Sequence, residues 1–116
     1  MVRMLGYLVT AVAVCWANAA AVAQTIYPID RATILAGSKF DLKAEFPEVR
    51  PKRSLKITIN GEDISAVFGR EAEYIEREDG GPTSTLLLRD VVIAKPGTYT
   101  IAASDGAASK SVTWEV

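Results

Sequence analysis

Histidine is absent from this sequence, and cysteine occurs once, as Cys15. Without an imidazole the chain lacks the usual general base, the Ser-His-Asp and Cys-His arrangements, and the commonest transition-metal ligand. Long apolar runs are equally scarce: beyond Ala23 no stretch approaches the roughly 20 residues that a spanning helix needs. No window of helical length shows a 3.6-residue apolar period either. A large excess of charge is missing too, since 13 basic residues face 14 acidic ones over the whole chain. That near-balance gives no electrostatic reason to expect nucleic acid or an anionic membrane as partner.

What is present begins with a leader. Met1-Val2-Arg3-Met4 carries one positive charge, and Leu5 to Ala17 continues without any charged side chain. This is the order of a secretory signal, and Ala21-Val22-Ala23 supplies the small residues of a cleavage site, so residues 1–23 are expected to be removed before Gln24. Ala17-Asn18-Ala19 is a weaker alternative site. The apolar stretch is too short for a membrane anchor, and Val14 stands where a lipidation signal wants a small residue before Cys15. Cleavage leaves 93 residues, enough for one domain with one modest core. The domain is expected to be exported, periplasmic or extracellular. With Cys15 removed it can form no disulfide despite an oxidising compartment.

Beyond Gln24 the apolar residues alternate in short runs separated by turn residues, the pattern of half-buried strands. Thr25 to Pro28 reads as an edge strand, with Ala32 to Leu35 continuing the same edge after a kink at Asp30-Arg31. Lys39 to Phe46 turns Phe40, Leu42, Ala44 and Phe46 to one face. Leu55, Ile57 and Ile59 repeat the pattern into Asn60-Gly61, a dipeptide that favours a tight hairpin, and Ile64, Ala66 and Phe68 are expected to form the returning strand. Pro47 to Arg53, with two prolines and three basic residues, reads as an exposed connection.

Further strands are predicted over Glu71–Arg77, with Ala72, Tyr74 or Ile75 inward, and over Thr83–Leu88, ending near Arg89-Asp90. After the Pro96-Gly97 turn, Tyr99, Ile101 and Ala103 point inward, and Tyr99 is placed to bond its hydroxyl back to upstream backbone. Val112, Trp114 and Val116 share a face of the last strand. About seven strands at this spacing predict an all-β, immunoglobulin-like antiparallel sandwich.

Catalytic, cofactor-binding and metal-binding residues are all predicted to be absent. Glu71, Glu73, Glu76, Glu78 and Asp79 read as a solvated face, without the regular spacing of a calcium loop. Gly80-Gly81-Pro82-Thr83-Ser84-Thr85 has the glycines and hydroxyls of a phosphate loop but neither its lysine nor its helix. Paired carboxylates for glycoside hydrolysis need a cleft that a sandwich of this size rarely encloses.

Five strings carry a family resemblance: Tyr27-Pro28-Ile29-Asp30-Arg31-Ala32, Leu35-Ala36-Gly37-Ser38-Lys39-Phe40-Asp41, Ile59-Asn60-Gly61, Glu76-Arg77-Glu78-Asp79-Gly80 and Lys95-Pro96-Gly97-Thr98-Tyr99-Thr100. With Ala103-Ser104-Asp105-Gly106 and Val112-Thr113-Trp114-Glu115-Val116, they resemble the β-rich N-terminal domain that precedes the catalytic domain of secreted bacterial alkaline phosphatases. The resemblance implies an accessory module that packs against an alkaline phosphatase-type catalytic domain, in cis or in trans. Zinc, magnesium and the hydroxyl nucleophile then belong to that other domain, which this chain, stopping at Val116, does not include. An independent exported adhesion or glycan-binding module is the alternative.

Overall fold

The structure, a computed structural model, describes residues 24–77 and 82–116. The leader with its cleavage sites and Cys15 lies outside the described residues, as do Glu78, Asp79, Gly80 and Gly81.

Lys39–Phe46 forms strand β2, and its alternation does what the sequence requires: Leu42, Ala44 and Phe46 are buried while Lys39 and Asp41 are exposed. On one side β2 pairs with β1 (Thr25–Tyr27), and on the other with the ten-residue β6 (Thr83–Val92). β5 (Glu73–Arg77) completes this first sheet in the order β1-β2-β6-β5. β3 (Lys56–Ile59), β4 (Glu62–Asp63), β7 (Thr98–Ser104) and β8 (Ser109–Glu115) form the second, ordered β4-β3-β7-β8. Every pairing between these strands is antiparallel. Two facing four-stranded sheets in these orders make an immunoglobulin-like sandwich.

The core lies where the two inner faces meet. Ile26, Leu42, Ala44, Phe46, Leu86, Leu88 and Val91 come from the first sheet, and Ile57, Ile59, Ile101, Ala103, Val112 and Trp114 from the second. Trp114 is fully buried, its ring edge-on to Phe40 at 5.4 Å between centroids. Its indole N–H donates to the Pro28 carbonyl at 2.8 Å, so the one polar atom of the largest core side chain is satisfied. At the start of β7 the Tyr99 hydroxyl donates to the Lys95 carbonyl at 2.7 Å, forming the predicted tyrosine corner.

Three sequence expectations need correction. Ile64, Ala66 and Phe68 do not form a returning strand: after the two-residue β4, Ile64–Phe68 is a short helix, α1. The Asp63 side chain accepts from the Ser65 N–H at 2.9 Å, capping the helix start, and Gly69 ends it at φ 72, a left-handed conformation suited to glycine. Ala32 to Leu35 does not continue the β1 edge either. The chain turns at Arg31, with φ 65, and crosses to the other sheet, where Thr33 bridges Glu115 of β8 in parallel. The N–H groups of Arg31 and Ile34 and the Ala32 carbonyl are bonded there by β8 backbone, which satisfies groups that a free edge would leave open.

The third correction is to β6, which runs on past Arg89-Asp90 to Val92. Its register shifts there: Leu42 faces Leu88 while Phe40 faces Val91, so Arg89 and Asp90 together oppose Asp41. This bulge puts Val91 inward and Asp90 outward. Asp90 adopts φ 53 and its N–H donates to Asp41 Oδ1 at 3.1 Å, while the Arg70 guanidinium donates to the carbonyls of both bulged residues.

Candidate functional site

Among the described residues the chemistry-bearing side chains are spread over the surface. Glu71, Glu73 and Glu76 are exposed around β5, with Glu71 near Lys52 at 3.6 Å and Glu73 near Arg89 at 3.9 Å. Among the described residues no three carboxylates stand close enough to share a metal ion. Thr83, Ser84 and Thr85 belong to β6, as the strand reading requires, and the fully buried Ser84 hydroxyl donates to the Glu48 carbonyl at 2.7 Å. Trp114 is interior and offers no platform to a sugar. Among the described residues no helix is long and apolar enough to cross a membrane.

One cleft, of about 430 Å³, opens between the sheets beside β4 and β5. Its floor is Leu55, Ile57, Ile64 and Leu86, all nearly buried, and Lys52, Arg53 and Lys56 stand on its rim. Its two carboxylates are engaged: Glu71 by Lys52, and Asp63 by the Ser65 hydroxyl at 2.7 Å. The Ser65 hydroxyl, then its N–H, hold Asp63 below its ordinary pKa, with a smaller contribution from Lys56. The three cationic side chains on its rim can attract an anion.

At one end of the sandwich the Pro47–Arg53 connection is pinned across the core. Besides the Ser84 bond, the Tyr74 hydroxyl donates to the Arg50 carbonyl at 2.6 Å, and residues Lys52–Ser54 form a 3-10 turn. Beside it Asp105 accepts from the N–H groups of Ala107 and Ala108, both at 2.9 Å, and lies 3.9 Å from the Arg50 Nε. The N–H of Ala108, then that of Ala107, depress the Asp105 pKa from its ordinary 3.8, and the Arg50 charge adds to this. A depressed carboxylate contributes stability above its unfolded value and loses it as pH falls through its folded value. Asp105→Asn is therefore expected to flatten the acid limb of the stability curve below pH 3.8 while lowering stability at neutral pH, as urea titrations at several pH values would read.

The opposite end carries three exposed apolar groups. Leu35 is 78% exposed and Val92 41%, and Ile29 on the flanking side is 63% exposed. The turn that holds Leu35 rests against β6, with the Gly37 N–H donating to the Ile93 carbonyl at 2.9 Å, and Val92 pairs with Lys39. Val116 lies at this same end, exchanging two backbone bonds with Gly97.

Five of the seven strings behind the phosphatase resemblance meet here, while Asp105-Gly106 and Arg77 lie toward the other end. Asp30 accepts from the Thr113 N–H at 2.9 Å, Trp114 bonds Pro28, and Val116 bonds Gly97. Asn60 exchanges bonds with the Thr100 backbone, so the Asn60-Gly61 turn, at φ 49 and 86, joins the same group. Leu35 and Val92 were not singled out by the sequence pattern, because single exposed apolar residues in a turn and at a strand end carry no periodic signal.

No protein-family model matches the chain, and no curated protein does. Solved structures similar to it include titin domains. A chimeric titin Z1Z2 functionalised with an exogenous decorin peptide is 22% identical over 83% of this chain and 93% of that one, with a TM-score of 0.39. Titin Z1Z2 in complex with telethonin is 23% identical over 83% of this chain and 47% of that one, at 0.41. The titin M3 domain is 20% identical over 82% and 95%, at 0.37.

Proposed function

We propose that this protein is a non-catalytic accessory module, exported and cleaved before Gln24, that packs against an alkaline phosphatase-type catalytic domain. The observation that carries this reading is spatial. The strings that resemble the phosphatase N-terminal domain lie far apart in sequence, yet five of the seven gather around one end of the sandwich, where Leu35 and Val92 stand exposed. Neither residue contributes to the core, and burying Leu35 against a partner would gain up to about 1.5–3 kcal/mol, with less than half of that from the partly covered Val92. The resemblance places the link to the catalytic domain after the Trp114-Glu115-Val116 strand, at this same end.

In this reading the phosphatase chemistry, with its zinc and magnesium, is supplied wholly by the partner domain, and the module contributes a rigid surface. The test is reconstitution. Residues 24–116 are expected to hydrolyse no phosphomonoester alone, and to slow the thermal inactivation of a catalytic domain taken from a secreted phosphatase whose own front domain carries Tyr-Pro-Ile-Asp-Arg-Ala and Trp-Glu-Val. Turnover by the isolated module that survives a metal chelator would overturn the reading. So would an inactivation rate indifferent to the module, whether fused or added.

A further inference from the structure

Gln24 is the first described residue, immediately before β1, and its side chain is held: Nε2 donates to the Ala108 carbonyl at 2.9 Å, and the residue is 2% exposed. The acceptor is itself fixed. Asp105 bonds the N–H groups of Ala107 and Ala108, the Asp105 N–H donates to the Ala108 carbonyl at 3.2 Å, and Gly106 supports the turn at φ 94. The Gln24 amide thus ties the first strand of one sheet to the turn that starts the last strand of the other.

Cleavage before Gln24, which this inference takes from the proposed function, would make Gln24 the amino terminus. An amino-terminal glutamine can close on itself. Its α-amino nitrogen attacks Cδ, the Cδ–Nε2 bond breaks, the amine proton passes to the departing nitrogen, and ammonia leaves behind a lactam with no terminal charge. In this fold the leaving nitrogen is the atom bonded to Ala108, and the side chain reaches toward β8 instead of curling back on its own backbone.

We propose that Gln24 is a conformationally guarded cyclisation site: the folded module slows closure of its amino-terminal glutamine, so that unfolded chains convert to pyroglutamate faster than folded ones. Lactam content then records how long an exported chain stayed unfolded before its first strand docked. Because the lactam lacks the Nε2 donor, a cyclised chain also folds without the tie to Ala108.

The experiment uses residues 24–116 with Gln24 freed as amino terminus by a specific protease, incubated folded and in urea, with loss of one ammonia followed by mass spectrometry. Cyclisation is expected to be at least about fivefold slower in the folded protein, the factor that one net hydrogen bond supplies. Asp105→Ala, which loosens the turn that holds the acceptor, should bring the folded rate toward the unfolded one while circular dichroism shows the sandwich intact. Equal rates folded and unfolded would overturn the proposal, as would an unchanged folded rate in Asp105→Ala. The mass of the protein recovered after export is read separately: a terminus other than Gln24 would refute the cleavage reading, while the freed-terminus rates still decide whether the fold guards the site.

Discussion

Trp114→Ala is expected to destabilise the domain by about 3–5 kcal/mol, the range for deleting a fully buried large aromatic. The indole spans the space between the sheets, meets Phe40 edge-on and closes the joint to Pro28 through its N–H. Truncation leaves a cavity lined by the inner faces and strands the Pro28 carbonyl. Small domains hold only about 5–15 kcal/mol in total, so this single change removes a large share of it, and no disulfide within residues 24–116 stands behind the core because they contain no cysteine. Urea unfolding followed by tryptophan-independent circular dichroism measures the loss. A shift under about 1 kcal/mol, the scale of ordinary point mutants, would show that the core is not centred on this residue.

Phe46→Ala is expected to cost a similar 3–5 kcal/mol, for a different reason. Phe46, fully buried at the end of β2, lies where the chain leaves the sheet for the pinned connection. Removing the ring deprives that connection of its floor, so the bonds from Ser84 to Glu48 and from Tyr74 to Arg50 should loosen with it. Hydrogen exchange should therefore rise first at this end of the sandwich in the variant, while the Trp114 end remains protected. Uniform loss of protection at the same denaturant concentration would mean that the two ends unfold as one unit.

The core was legible in the sequence because one buried face forces strict alternation. Phe40 to Phe46, Leu55 to Ile59 and Tyr99 to Ala103 could face inward only one way, and Pro96-Gly97 before Tyr99 announced the corner. Three places escaped this logic. Ile64, Ala66 and Phe68 recur at every second position as in a strand, and what marks the segment as a helix is Val67 breaking the alternation together with the chemistry of its ends: Asp63 two residues before Ser65, and Gly69 after Phe68. The bulge at Arg89-Asp90 shows in the sequence as a break of phase between Leu88 and Val91, which reads equally as the end of a strand. The crossing of Ala32 to Leu35 has no local signal at all, since its hydrogen-bond partners lie about 80 residues away in β8.

The candidate surface was less legible than the core for the same physical reason. Periodicity reports what a domain buries, whereas Leu35 and Val92 matter for being left out. The held amide of Gln24 is likewise invisible in sequence, where the residue marks only the expected cleavage position; its bond to Ala108 exists once both sheets have closed.

The central claim, that the apolar end carrying Leu35 and Val92 is the face that meets a phosphatase-type catalytic domain, is tested most directly by charge placed on that face. With the reconstituted pair described above, Leu35→Asp combined with Val92→Asp should abolish the module's protection of the catalytic domain against thermal inactivation while leaving the module's own unfolding midpoint nearly unchanged. The control Val49→Asp, at an exposed apolar residue in the Pro47–Arg53 connection at the other end, should retain full protection. Protection kept by Leu35→Asp with Val92→Asp, or lost in Val49→Asp, would contradict the account.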